Sequence, residues 1–194
     1  MLSHDDYRQV ARLHQQAISE GFLSSLGVNF LALLYEAIDR SGSSVLLVVR
    51  EGGRVVGFVS GAPGLREVYR YLLRSWFRLG IALTPSLFSP RKVFSILETF
   101  SFSRKADSNL AVLPRDELLS IAIEKSFRGK GHAEALFRDL QRHFRTVNVK
   151  QFKIVVGNAL LPAHRFYCRM GASPVAQTEV HKGSGSVIYV CDVK

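Results

Sequence analysis

Between an apolar run, Glu117-Leu118-Leu119-Ser120-Ile121-Ala122-Ile123, and a segment of helical periodicity from about Gly131 to Phe144, the chain reads Glu124-Lys125-Ser126-Phe127-Arg128-Gly129-Lys130-Gly131-His132-Ala133. A strand that turns through closely spaced glycines straight into a helix fits few architectures. The first N–H groups of a helix lack intrahelical partners and carry partial positive charge, so they bind anions. Glycines let that backbone approach a ligand with no Cβ in the way. Arg128 and Lys130 add cationic charge. The stretch therefore reads as a phosphate or pyrophosphate cradle. It is not the nucleotide P-loop, which needs GxxxxGK followed by Ser or Thr. Nor is it the dinucleotide fingerprint: Gly129 and Gly131 supply GxG, but Glu134 occupies the third glycine position.

The remaining segments place this motif in an α/β or α+β layered domain. Helical spacing runs from Tyr7 to Ser19, with Asp5 or Asp6 as the candidate cap, and again from about Val28 to Ile38. Two β-branched runs, Ser44–Arg50 and Arg54–Ser60, flank Glu51-Gly52-Gly53 and read as a hairpin. After the motif come a strand at Phe152–Val156 and a short helix at about Pro162–Met170, stopped by Gly171. Strands at Ser173–Gln177 and Ser186–Asp192 follow, around the turn Lys182-Gly183-Ser184-Gly185. The 194 residues fit one domain.

Composition narrows the partners. The net charge of +10 and pI of about 10.0 favour anionic ones: a phosphorylated cofactor, nucleic acid or an anionic membrane surface. No helix-turn-helix, zinc-finger or RNP pattern supports a nucleic-acid module. Cys168 and Cys191 belong to no CxxC pair, so neither a zinc site nor a disulfide framework is expected, and no metal is. The polar, acidic N-terminus is unlike a signal peptide, and no run reaches the ~18 apolar residues of a membrane span. The expectation is a cytoplasmic protein.

Arg128-x-x-Gly131-x-Ala133, set between an apolar strand and an amphipathic helix, resembles the acyl-CoA signature of the GNAT N-acetyltransferases. Leu119–Ile123 resembles that family's fourth strand. The stretch Asn158 to Ala172, with Asn158, Ala163, Phe166-Tyr167 and Gly171, resembles its second motif. The two matches span roughly residues 117–172, and the helices and hairpin of residues 1–62 stand in the family's order. The resemblance implies a central mixed, mostly antiparallel twisted sheet flanked by helices, with a helical insertion at about 63–114 between the family's third and fourth strands. It also implies an acyl-CoA-dependent N-acyltransferase that takes acetyl-CoA and an amine acceptor. Two departures stand out: the length of 63–114, and His132 at a position more commonly apolar.

Roles follow from the same resemblance. Arg128 and the backbone of Gly129, Lys130, Gly131, His132 and Ala133 hold the CoA pyrophosphate; the alternative is an ordinary turn before a helix. Ile121, Ala122 and Ile123 offer strand backbone to the pantetheine arm. Phe166 and Asn158 contact CoA, although Asn158 also suits a helix N-cap. Tyr167 is the acid that protonates the leaving thiolate, against a core tyrosine. Glu117 is the base, against a solvated carboxylate, with Asp116 and a water ordered by Ser120 as competitors. His164 reads as a helix-surface residue.

The insertion carries Arg66, Arg70, Arg74 and Arg78 at four-residue spacing, one stripe on a helix, with Tyr69, Trp76 and Phe77 on other faces. A second helix is expected at Arg91–Phe100 and a polar linker at Ser101–Ser108. Three readings fit: a lid over an anionic acceptor such as a nucleotide-sugar, an amphipathic helix at an anionic membrane surface, or a hairpin packed on the core. The leading function is acetyl transfer to a primary amine of a small molecule, an amino sugar or nucleotide-sugar among the options. A protein amine, and a basic nucleic-acid-binding module without catalysis, are the alternatives.

Overall fold

The computed structural model describes residues 2–18, 22–42, 44–63, 66–74, 113–181 and 184–193. Helix α1, His4–Ala17, begins at a capping box. The Asp6 N–H donates to Ser3 Oγ (3.2 Å), and the Ser3 N–H donates to the Asp6 carboxylate (2.7 Å). The cap is thus Ser3. Asp6 acts from the third helical position, where its carboxylate reaches back, and Arg50 pairs with it at 2.7 Å. Helix α2, Val28–Arg40, buries every residue from Phe30 to Ile38.

Strands β1, Val45–Glu51, and β2, Arg54–Ala62, form the expected hairpin. Its two loop residues, Gly52 and Gly53, both have positive φ (56° and 78°), which matches the right-handed twist of the strands. Helix α3, Arg66–Arg74, opens the inserted segment and buries Val68 and Leu72. Arg70 pairs with Glu67, and Arg74 is exposed. Trp76, Phe77, Arg78, the helix expected at 91–100 and the linker at 101–108 lie outside the described residues.

The sheet continues with β3, Glu117–Ile123, and β4, Gln151–Gly157, then β5, Ser173–His181, and β6, Ser184–Asp192, in the order β1-β2-β3-β4-β6-β5. The strand numbered fourth by family resemblance is the third described here. The last hairpin is longer than the sequence suggests, because Ser184 and Gly185 pair with His181 and Glu179 rather than forming a turn. Helix α4, His132–Thr146, links β3 to β4, and helix α5, Leu161–Arg169, follows β4. All strand pairs are antiparallel except β3–β4.

Side chains alternate across the sheet and divide the interior in two. Phe58 and Ala122 join α1 and α2 in one core. Val59, Leu118, Ile123, Phe152 and Ile154 join α4 and α5 in the other. Two glycines of β2 let α4 sit close. A Cβ on Gly61 would lie 2.8 Å from Leu140 Cδ1 and 2.9 Å from Phe144 Cζ. No helix among the described residues is long and apolar enough to cross a membrane.

Candidate active site

The parallel pair β3–β4 is in register at two positions, Glu117↔Lys153 and Leu118↔Ile154, and then separates. Beyond Leu118 the β4-facing edge of β3 is open. The Glu124 N–H donates to Val56 O on β2. By strand alternation, Ser120 and Ala122 also direct their backbone groups to β2, and Ile121 and Ile123 direct theirs to the open edge. Arg128 confirms the placement, since its Nε donates to Ile123 O at 3.0 Å. Ala122, expected beside Ile121 and Ile123 at the cofactor, is therefore turned away. Its backbone serves the β2 ladder, and its buried side chain lies in the α1/α2 core.

A short 3₁₀ turn, Lys125–Phe127, leads from β3 into the glycine loop. Gly129 and Gly131 have φ of 76° and 80°, a left-handed conformation that other residues adopt only at a cost. Gly131 caps α4 without any side-chain hydrogen bond. No backbone N–H from Gly129 to Ala133 has an acceptor among the described residues. These donors border a cleft of about 220 Å³ lined by Ile123, Phe127, Arg128, Gly129, Gly131, His132, Ala133 and Glu134 from one side, and by Phe166 and Arg169 from α5.

Charge is arranged around this cleft. Lys130 Nζ stands 4.7 Å from the centre of the Phe127 ring. Arg169 pairs with Glu134 at 2.8 Å and lies over Phe166. The Glu134 carboxyl is held below the usual carboxylate range by its own backbone N–H and by Arg169. His132 Nε2 is 3.6 Å from Glu51 Oε1, which brings the start of α4 beside the β1–β2 turn. Phe127, Glu134 and Arg169 were not anticipated from the sequence. Arg169 was the most accessible of them, one helical turn beyond Phe166.

Glu117 and Lys153 lie together on the sheet face opposite α4 and α5, because the neighbours of Lys153, Phe152 and Ile154, face those helices. Their Oε2 and Nζ atoms are 3.7 Å apart. Burial raises the Glu117 carboxyl above its ordinary value, and Lys153 opposes the rise. Burial raises Asp116 as well. Tyr167 occupies the opposite side of the sheet, 5% exposed, with its ring packed against Phe137, Phe166 and Tyr189. Desolvation raises its phenol.

Asn158 does not border the glycine-loop cleft. It lies beyond the end of β4, where its N–H donates to Gly185 O, and it lines a second cleft with Gln177, Thr178, Gly185 and Ser186. It does not cap α5 either, since Leu160 takes that position. His164 is also more than a surface residue. Its Nε2 meets Gly157 O at 3.1 Å and its Nδ1 meets the Tyr189 hydroxyl at 2.8 Å, pinning α5 to β4 and β6.

A split mixed sheet with an uncapped helix start at the mouth of the split, and an open strand edge leading from it, suits a CoA-thioester-dependent N-acyltransferase. The model of the acetyltransferase (GNAT) family matches residues 99–172 of this chain. Solved structures share the fold. An N-acetyltransferase from Staphylococcus aureus Mu50 aligns with TM-score 0.64 at 13% identity, covering 100% of this chain and 96% of that one. Ard1 from Thermoplasma volcanium aligns with TM-score 0.61 at 18% identity, covering 100% and 95%. The ribosomal-protein-S18-alanine N-acetyltransferase from Escherichia coli aligns with TM-score 0.59 at 10% identity, covering 99% and 90%. A comparison with curated proteins finds no match.

Proposed function

We propose that this chain transfers the acetyl group of acetyl-CoA to the primary amine of a small molecule, by direct attack of the amine on the thioester. The observation that carries the reading is the continuity between the unpaired N–H groups of Gly129–Ala133 and the open edge at Ile123 and Ile121. A pyrophosphate seated at the first, with Arg128 beside it, sends its amide-bearing arm along the second. Phe166 and Arg169 close the cleft from α5.

The acid and base we assign lie on opposite faces of the sheet. Glu117, with its raised carboxyl, takes the proton of the attacking amine. Tyr167 remains protonated throughout the working pH range and delivers its proton as charge collects on the departing sulfur. The second cleft supports a small polar acceptor. Carboxamides from Asn158 and Gln177 and hydroxyls from Thr178 and Ser186 line it, with no charged side chain among its described residues. Such a lining suits the hydroxyls of an amino sugar, and an anionic portion of the acceptor would find its cations elsewhere. The test is a screen of amino sugars, nucleotide-linked amino sugars and peptides, read by release of free CoA thiol. Turnover with sugars and none with peptides supports the reading. The reverse moves the acceptor to a protein amine.

A further inference from the structure

One imidazole at the glycine loop has no part in the acyl transfer described above. His132 is the first residue of α4, where the family resemblance expects an apolar side chain. Its side chain is 18% exposed, and its Nε2 is buried without a hydrogen-bond partner. Glu51 Oε1, 3.6 Å from that nitrogen, stands just beyond hydrogen-bond reach. The Phe127 ring is a second neighbour, its centre 6.4 Å from that of the imidazole. His132 also lines the cleft bordered by the unpaired N–H groups of the loop.

The surrounding charges decide when this ring holds a second proton. An ordinary imidazole gains that proton near pH ~6.5. Against it stand the positive end of α4 and the loop cations Arg128 and Lys130. In its favour stands Glu51, which has no other ion pair among the described residues. The remaining charges nearby are engaged with one another: Glu134 of α4 with Arg169 of α5, Arg54 of β2 with Glu124, and Arg50 of β1 with Asp6. A pyrophosphate seated on the loop N–H groups reverses the balance. It offsets the helix end and the two cations, and it places an anion beside a ring whose own backbone N–H is one of the donors holding it.

We infer that His132 couples donor binding to proton uptake: seating the pyrophosphate draws a second proton from solvent onto the imidazole, and the imidazolium, paired with Glu51, adds its charge to the cradle. The inference rests on the pyrophosphate reading of the loop, and no covalent step is involved. The sign follows from linkage. Binding strengthens the ring's hold on its proton, so affinity is full at low pH and falls as pH rises through the histidine range, by up to about tenfold per pH unit.

Calorimetry with 3′-dephospho-CoA on the full chain tests it. This probe keeps the pyrophosphate and lacks the phosphomonoester, a group that itself titrates near pH ~6. Titrations at about pH 7 in two buffers of different ionisation enthalpy read the protons taken up on binding. The wild type is expected to take up a fraction of a proton and to lose affinity several-fold between about pH 6 and about pH 8. His132→Leu should take up none and hold one affinity across that window, and Glu51→Gln should take up less than the wild type. The ¹⁵N spectrum of His132 gives the same answer without a variant: both ring nitrogens carry protons in the complex at a pH where the free protein leaves one bare. A wild-type affinity independent of pH, or proton uptake that persists in His132→Leu, overturns the inference and leaves the pyrophosphate reading standing. No binding of the probe at any pH overturns that reading and the inference with it.

Discussion

Glu117 and Lys153 face each other, 3.7 Å apart, at one of the two positions where the parallel strands β3 and β4 are still in register. Just beyond them the strands separate. The carboxylate thus marks the closed end of the split, while the glycine loop marks its mouth. Burial raises the Glu117 carboxyl and Lys153 restrains it. The rate of acetyl transfer should rise with pH through a midpoint above the ordinary carboxylate value. Lys153→Met should move that midpoint further up, and Glu117→Gln should remove the limb. A midpoint that Lys153→Met leaves unmoved takes Glu117 out of the base role.

Tyr167 is buried in the α4/α5 core, so its ring has a packing role whatever its hydroxyl does. Tyr167→Phe keeps the ring and removes the proton. General-acid catalysis contributes typically ~10²–10⁴-fold, so kcat should fall within that range while CoA affinity and melting temperature hold. Unchanged kcat in this variant would leave Tyr167 a core residue alone.

His14 makes stability depend on pH. Burial lowers its pKa from 6.5 to about 4. Between those values the unfolded chain binds a proton that the folded chain does not. Stability therefore falls as pH drops from about 6.5 to about 4, by up to ~3 kcal/mol. Denaturant melts of wild type and His14→Gln across that window should show the loss in the former and not in the latter.

Gly61 is a packing position. A Cβ there meets Leu140 and the Phe144 ring at under 3 Å. Gly61→Ala should destabilise the fold by ~1–3 kcal/mol, as overpacking does. A neutral result in urea unfolding would mean that α4 is free to shift outward.

Much of this site was legible in the sequence because its parts are local. The glycine loop, the strand before it and the helix after it are contiguous, so their chemistry and geometry are written in about twenty residues. The cap of α1 is local as well: Asp5 and Asp6 are the conspicuous candidates, but the Ser-x-x-Asp spacing from Ser3 to Asp6 carries the capping-box geometry. What the sequence hid depends on pairing between distant segments. Ala122 reads like Ile121 and Ile123 until the β2 register turns its backbone inward. Asn158 sits within a family-like motif, yet the pairing of β4 with β6 carries it to a different cleft. The His14–Tyr35 hydrogen bond joins α1 to α2, and no spacing announces it.

The central claim is that Gly129–Ala133 hold the pyrophosphate of a CoA thioester, and calorimetry with CoA on wild type and Gly131→Glu tests it most directly. Gly131 adopts a left-handed φ of 80° with nothing within 4 Å of a Cβ, so the glutamate has room but brings strain and a negative charge to the cradle. Two like charges 4 Å apart at an effective dielectric near 20 repel by ~4 kcal/mol, about a thousand-fold in affinity. Micromolar binding of CoA to the wild type and its loss in Gly131→Glu are expected. Equal binding by both proteins, or none by the wild type, would contradict it.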